Sequence, residues 1–263
     1  RGAYRVSTAL RSGSRFRSMP PATGSGVMAQ VDGRIIGLSA TADRMWETDR
    51  VGEITDWLLD GERVIVSTGG DQPATYAIDR AGSWQLLAQV GGQVALSRGR
   101  LHAYNPTGLY RLDEATRRAE VLLPLDNTYF PDGDLVAAYD GTLIAAHRSA
   151  GDRRLIALNA DGTLRWDRSI GALGRAAPRL IAVGRRVYAV TYDGDVLLID
   201  LVTGDAWRVF DGGGGTFVAG EAWALELPRG RIAFDFRSGR LVVFDPLAAG
   251  PQSEEAGQNV APN

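Results

Sequence analysis

Residues 177–211, APRLIAVGRRVYAVTYDGDVLLIDLVTGDAWRVFD, constrain the fold more than any other stretch, because they hold strand-length runs parted by turn signals. Runs 180–183 and 187–192 are apolar, β-branched or aromatic, with Gly184 between them. Run 196–202 follows Asp193-Gly194, a pair suited to the positive-φ positions of a tight hairpin. The turn Thr203-Gly204-Asp205 then leads into 206–210, which carries Trp207. Val196, Leu197, Leu198 and Ile199 are apolar in succession, which predicts a strand covered on both faces. A small sheet covered on both faces needs a neighbour on each side, so the unit predicts a chain of stacked copies.

The copies can be laid along the sequence. The first supplies runs 27–31, 34–39 and 44–48, with its remaining strand expected from residues 3–19, either 3–9 or 15–19. Runs 54–60, 63–67, 74–79 and 83–89 make the second, and 93–97, 100–104, 108–113 and 119–123 the third. The fourth is 134–139, 142–147, 154–159 and 163–168, the fifth is the opening stretch, and the sixth is 216–219, 222–227, 231–236 and 240–244. Two markers tie them together. Third strands end at Ser39, Asp79, Asp113, Asn159, Asp200 and Asp235, and fourth strands carry Trp46, Trp84, Val121, Trp166, Trp207 and Val242. Both series advance by about 34 to 46 residues per step, close to the period of one propeller blade. An Asp or Asn side chain bonds turn backbone, and a Trp covers a large area between sheets, so each marker has a structural reason.

Residues 198–207, LIDLVTGDAW, and 155–166, LIALNADGTLRW, resemble the repeat of pyrroloquinoline-quinone-type propellers. The resemblance runs over about residues 27–246 and is weakest in the third unit, where residues 114–118 replace the Thr-Gly turn and Val121 the Trp. It implies an all-β chain folded as a single β-propeller of six four-stranded blades, with a seventh as the alternative. Residues 1–26 are expected to form a basic arm or closing strand, 27–247 the propeller, and 248–263 a flexible polar tail. The same repeat builds quinoprotein dehydrogenases and many non-catalytic proteins, among them outer-membrane assembly scaffolds and sensor domains of bacterial kinases.

Composition narrows the chemistry. The chain has no cysteine, which removes disulfides, thiolate nucleophiles and zinc–thiolate sites. It also lacks the vicinal disulfide that the resemblance implies for a quinoprotein dehydrogenase, and it is too short for that larger ring. All 29 basic residues are arginine, so there is no Schiff-base or phosphate-loop lysine. A net charge of −2 gives no electrostatic basis for binding nucleic acid, and no apolar run is long enough to span a bilayer. The chain opens at Arg1 without methionine, which leaves room for an upstream signal peptide or anchor.

Catalytic and metal constellations are weak. His102 and His147 occupy near-equivalent second-strand positions in neighbouring units but bring no further ligand set, so inter-blade packing is the expectation. The glycine run 212–215 lacks the Lys-Ser/Thr of a phosphate loop. Asp132–Asp134 and Asp193–Asp195 read as hairpin turns rather than calcium ligands. No catalytic residue, metal or cofactor is assigned. Binding is expected on the connections that gather at one mouth of the ring. Asn127, Tyr129, Phe130, Arg148, Arg153, Arg175 and Arg229 are the candidates, since arginine with aromatics is the composition of protein contact surfaces. The expected function is a non-enzymatic, extracytoplasmic scaffold with a protein partner, and a small ligand in the central channel as a further partner. The alternatives are a hydrolase or lyase acting on a sugar or lactone, and a structural subunit of a surface or viral assembly.

Overall fold

The computed structural model describes residues 15–18, 26–31, 34–39, 44–47, 54–61, 63–79, 83–125, 134–149, 152–170, 178–191, 194–211, 223–226, 231–235 and 241–244. Every regular element among them is a β-strand, and every pairing is between antiparallel neighbours in sequence. The first sheet is β1 (Arg15–Ser18), β2 (Gly26–Val31), β3 (Arg34–Ser39) and β4 (Arg44–Glu47), placed by its backbone. The second is β5 (Ile54–Asp60), β6 (Arg63–Thr68), β7 (Thr75–Ile78) and β8 (Trp84–Ala88). The third is β9 (Gln93–Ser97), β10 (Arg100–Asn105), β11 (Gly108–Asp113) and β12 (Arg118–Pro124). These fall in a first compact unit ending at Asn127. A second unit, from Thr128, holds β13 (Leu135–Ala137), β14 (Leu143–Ser149), β15 (Asp152–Leu158) and β16 (Leu164–Ser169). It continues with β17 (Arg179–Val183), β18 (Arg186–Val190), β19 (Val196–Ile199) and β20 (Ala206–Phe210), then β21 (Trp223–Glu226), β22 (Ile232–Asp235) and β23 (Leu241–Phe244).

The strand alternation expected from sequence is realised as two-sided burial. In β18, Val187 and Ala189 join one apolar cluster with the preceding sheet, while Tyr188 and Val190 join another with Ile232. In β19, Leu197 and Ile199 face the first cluster, and Val196 and Leu198 the second. The first unit repeats the arrangement: Ile65 of β6 packs with Val94, Leu101 and Leu112 of the third sheet, while Val64 and Val66 pack with Ile54 and Trp57 on the other face. Each fully buried Val, Leu or Ile contributes about 1.5–3 kcal/mol of transfer free energy, so sandwiching both faces compensates for the small area of each sheet.

The repeat markers fall where their chemistry requires. Asp200 follows β19, and its Oδ1 accepts the N–H groups of Val202 (2.6 Å) and Thr203 (3.0 Å). Asp113 accepts from Ala115 N (3.0 Å) and the Thr116 hydroxyl (2.8 Å), and Asp79 from Ser83 N (2.9 Å). The third sheet therefore keeps the turn despite its divergent sequence: Thr116 stands in the place of Thr203, and Arg117 adopts φ 57° where Gly204 has φ 80°. Trp46, Trp84, Trp166 and Trp207 all lie on the last strand of their sheets. In each of the five four-stranded sheets the register slips between the third and fourth strands, a bulge that sharpens twist at the outer edge.

Two expectations are adjusted. Where six complete blades were expected, or seven, four complete four-stranded sheets carry described side chains, β5–β8 through β17–β20. The first sheet is described as backbone and the last has three strands among the described residues; its expected first strand, 216–219, lies outside them. The 15–19 alternative supplies the first strand of the first sheet as β1, while 3–9 lies outside the described residues. Residues 148 and 153, expected in a connection, belong to β14 and β15, because the ladder runs on to Ser149↔Asp152.

Candidate functional site

The first strands of the sheets carry a polar thread that the sequence reading passed over. In the first unit the buried carboxylate of Asp56, on β5, accepts the backbone N–H of Val94, on β9, at 2.9 Å. In the second unit the buried Asp134, just before β13, accepts the backbone N–H of Leu180, on β17, at 3.2 Å. Asp134 also pairs with the Arg179 guanidinium. Val94 and Leu180 are both the second residue of their strands, so one acidic position does the same work in each unit. It ties a sheet's first strand to the backbone of the next, in surroundings where an unpaired amide would be costly. Of the carboxylates weighed as calcium ligands, Asp132 and Asp193 lie outside the described residues. Asp134 is committed to Arg179 and Leu180, and Asp195 lies 3.2 Å from Arg208.

Both histidines occupy second strands as expected, and both are buried. His147 Nε2 lies 3.6 Å from Asp167 Oδ1, which also accepts from Arg154 Nε at 2.8 Å within the same sheet. His102 is 1% exposed, and neither ring nitrogen has a hydrogen bond of good geometry. Burial pushes its pKa down to about 4; the Arg100 backbone favours the charged form, but burial outweighs it, aided by the charges of Arg111 and Arg100. His102 sits in the first compact unit and His147 in the second. Among the described residues no group of three His, Asp or Glu is placed to hold a metal.

Of the predicted contact residues, the structure places two. Arg148 and Arg153 are direct cross-strand partners at the end of the β14–β15 hairpin, so two guanidinium-bearing positions share one hairpin tip. Asn127, Tyr129, Phe130, Arg175 and Arg229 lie outside the described residues. At the other end of the same unit's strands, the Arg185 guanidinium stacks 4.8 Å above the exposed Tyr139 ring, a pair that sequence spacing gave no means to find. Beside it Arg165 binds Asp140 (3.0 Å) and the Thr142 hydroxyl (2.5 Å). Burial alone would raise the Asp140 pKa, but the Thr142 amide and hydroxyl together with Arg165 hold it below the usual carboxylate value.

Sheets are joined by their turns. Trp166 Nε1 donates to the Leu201 carbonyl at 3.1 Å, Arg168 Nε donates to the Thr203 carbonyl at 3.0 Å, and the Trp166 ring lies against Gly204. In the first unit Arg63 binds Asp60 of its own hairpin and both carboxylate oxygens of Glu114, at 2.6 and 2.8 Å, in the next sheet's turn. Sheet-to-turn locking of this kind, repeated along stacked antiparallel sheets, defines a β-propeller of the quinoprotein-repeat class. The chain belongs to the family described as outer membrane protein assembly factor BamB, whose family model matches residues 99–255. Among solved structures it is similar to BamB from Moraxella catarrhalis, at 18% identity and a TM-score of 0.54, covering 84% of this chain and 67% of that one. No curated protein sequence matches it.

Proposed function

We propose that this protein is a non-enzymatic extracytoplasmic scaffold that holds a protein partner engaged in assembling outer-membrane proteins. Membership of the assembly-factor family over residues 99–255 is the observation that carries the reading. The chemistry of the described residues supports it. The buried carboxylates bridge sheets, and His102 is kept neutral by burial, so these groups are used to build the propeller. Contact then falls to the connections, where the sequence holds Tyr129, Phe130, Arg175 and Arg229, and to the end of the β14–β15 hairpin, which carries Arg148 and Arg153. Aromatic and arginine side chains on a rigid ring offer large contact area and forked hydrogen bonding.

The test replaces Tyr129, Arg148 and Arg153 together by serine in the full-length protein. The expected result is a reduced level of outer-membrane β-barrel proteins, matching that of a gene deletion, with the thermal midpoint unchanged. Normal barrel levels in both the deletion and the triple variant would overturn the assembly role. Turnover of a lactone or glycoside by the purified protein would overturn the non-enzymatic reading.

A further inference from the structure

We propose that the turn end of the third sheet, bearing Arg98, Arg100, Arg117 and Arg118, docks a carboxylate-rich segment of a partner protein. The two turns at this end are unusual in one respect. Arg98, with φ 49°, and Arg117, with φ 57°, are the two non-glycine residues with positive φ among the described residues. Elsewhere glycine fills such positions, as at Gly61, Gly162, Gly184 and Gly204. A side chain is disfavoured in that conformation, so arginine is held there against the backbone's preference.

Register brings the four together. Leu101 pairs with Leu112 and Asp113 with Arg118, which sets Arg100, Asp113 and Arg118 level across three adjacent strands. Arg98 and Arg117 lie just beyond, in the β9–β10 and β11–β12 turns. Four strands spaced about 4.8 Å apart make this end about 15 Å wide, the reach of a short extended peptide. All four arginines are exposed. The neighbouring carboxylates are committed: Asp113 to its turn, Glu114 to Arg63 and Glu120 to Arg111. Among the described residues, Arg100, Arg117 and Arg118 have no carboxylate at ion-pair distance.

The geometry favours peptide carboxylates over a lipid surface. Recruitment to an anionic membrane takes a cluster of roughly four to eight basic residues acting through diffuse charge, and the four arginines of this sheet end stand at the bottom of that range. Arginines whose backbone is held on two tight turns instead project from set positions along the sheet end, which suits discrete carboxylates. This surface shares no residue with the contact positions invoked above, and its test does not depend on that reading.

The test is fluorescence anisotropy of a labelled oligoglutamate peptide with the intact protein at low ionic strength. The Arg98→Gly/Arg117→Gly variant keeps both turns, so binding should weaken roughly tenfold or more while the thermal midpoint stays level or rises. Arg100→Ser/Arg118→Ser, which leaves the turn positions untouched, should show the same loss. Arg185→Ser/Arg186→Ser removes equal charge from the fifth sheet and should bind as the parent does. Absence of peptide binding by the parent protein, or equal loss in the fifth-sheet variant, would overturn the proposal. So would sedimentation of the parent with phosphatidylserine vesicles that Arg98→Gly/Arg117→Gly abolishes, since that assigns the surface to a membrane.

Discussion

At the residue scale, two positions carry measurable consequences. Gly204 has φ 80°, and a Cβ added there would meet the Trp166 ring at 2.7 Å and the Arg168 side chain at 2.7 Å. The indole cannot retreat easily, because its Nε1 is bonded to the Leu201 carbonyl within the same turn. Gly204→Ala therefore combines left-handed strain with overpacking and should cost about 2–4 kcal/mol, read by urea denaturation. His102 has a folded-state pKa of about 4 against 6.5 for the free side chain. Above pH 6.5 it is neutral in both states and costs nothing. As pH falls from 6.5 toward 4 the unfolded chain takes up a proton that the folded one refuses, so stability is lost over that window. The loss approaches about 3 kcal/mol at its end, on the order of 1.4 kcal/mol per pH unit. His102→Leu should lose correspondingly less stability than the parent between pH 7 and pH 4; an identical decline would show that the imidazole is protonated in the fold. The sequence identified both histidines as packing residues but not this cost, because burial of a side chain depends on the sheet that covers it.

At the element scale, the hairpins were readable and the joints between sheets were not. Asp-Gly pairs, strand-ending Asp and Asn, and alternating apolar runs act within a few residues, so Asp200 and Asp113 announce their turns in the chain itself. The Asp56 and Asp134 bridges bond residues far apart in sequence, and nothing local distinguishes those carboxylates from turn residues. The bulges between third and fourth strands escaped for the same reason, since an extra residue in a ladder shows only against its partner. The bridge is open to test. Asp134→Asn preserves shape but removes the carboxylate charge that faces Arg179 and weakens acceptance from Leu180, so it should cost about 1–3 kcal/mol. Exchange of the Leu180 amide should quicken more than the loss of global stability explains. A double-mutant cycle with Arg179→Met should show that the two losses are not additive, and strict additivity would mean that the ion pair contributes nothing.

At the scale of the whole molecule, what the chain can do follows from a gradient of burial within the third, fourth and fifth sheets. Second strands are buried almost throughout, as in β6 and β18, where every residue after the first is covered. Fourth strands are more open in three of the sheets: β12, β16 and β20 expose half or more of their residues, with Val121 at 51% and Trp207 at 38% exposure, while β8 keeps Leu87 and Ala88 buried. Local opening costs least where few apolar contacts must be broken. Native-state hydrogen exchange should therefore rank strands within each of these sheets, with β6, β10 and β18 exchanging only on global unfolding and β12 and β20 exchanging by local fraying. The bulge beside each outer strand shifts the ranking the same way, because it leaves one residue out of the ladder. Outer strands as protected as second strands would mean that something covers them in solution, and would move the search for a partner from the turns to the sheet edges. If the gradient holds, peptide binding at Arg98 and Arg117 should slow exchange in the β9–β10 and β11–β12 turns and leave β6 unchanged, as expected of a ligand held on the tips of a rigid stack.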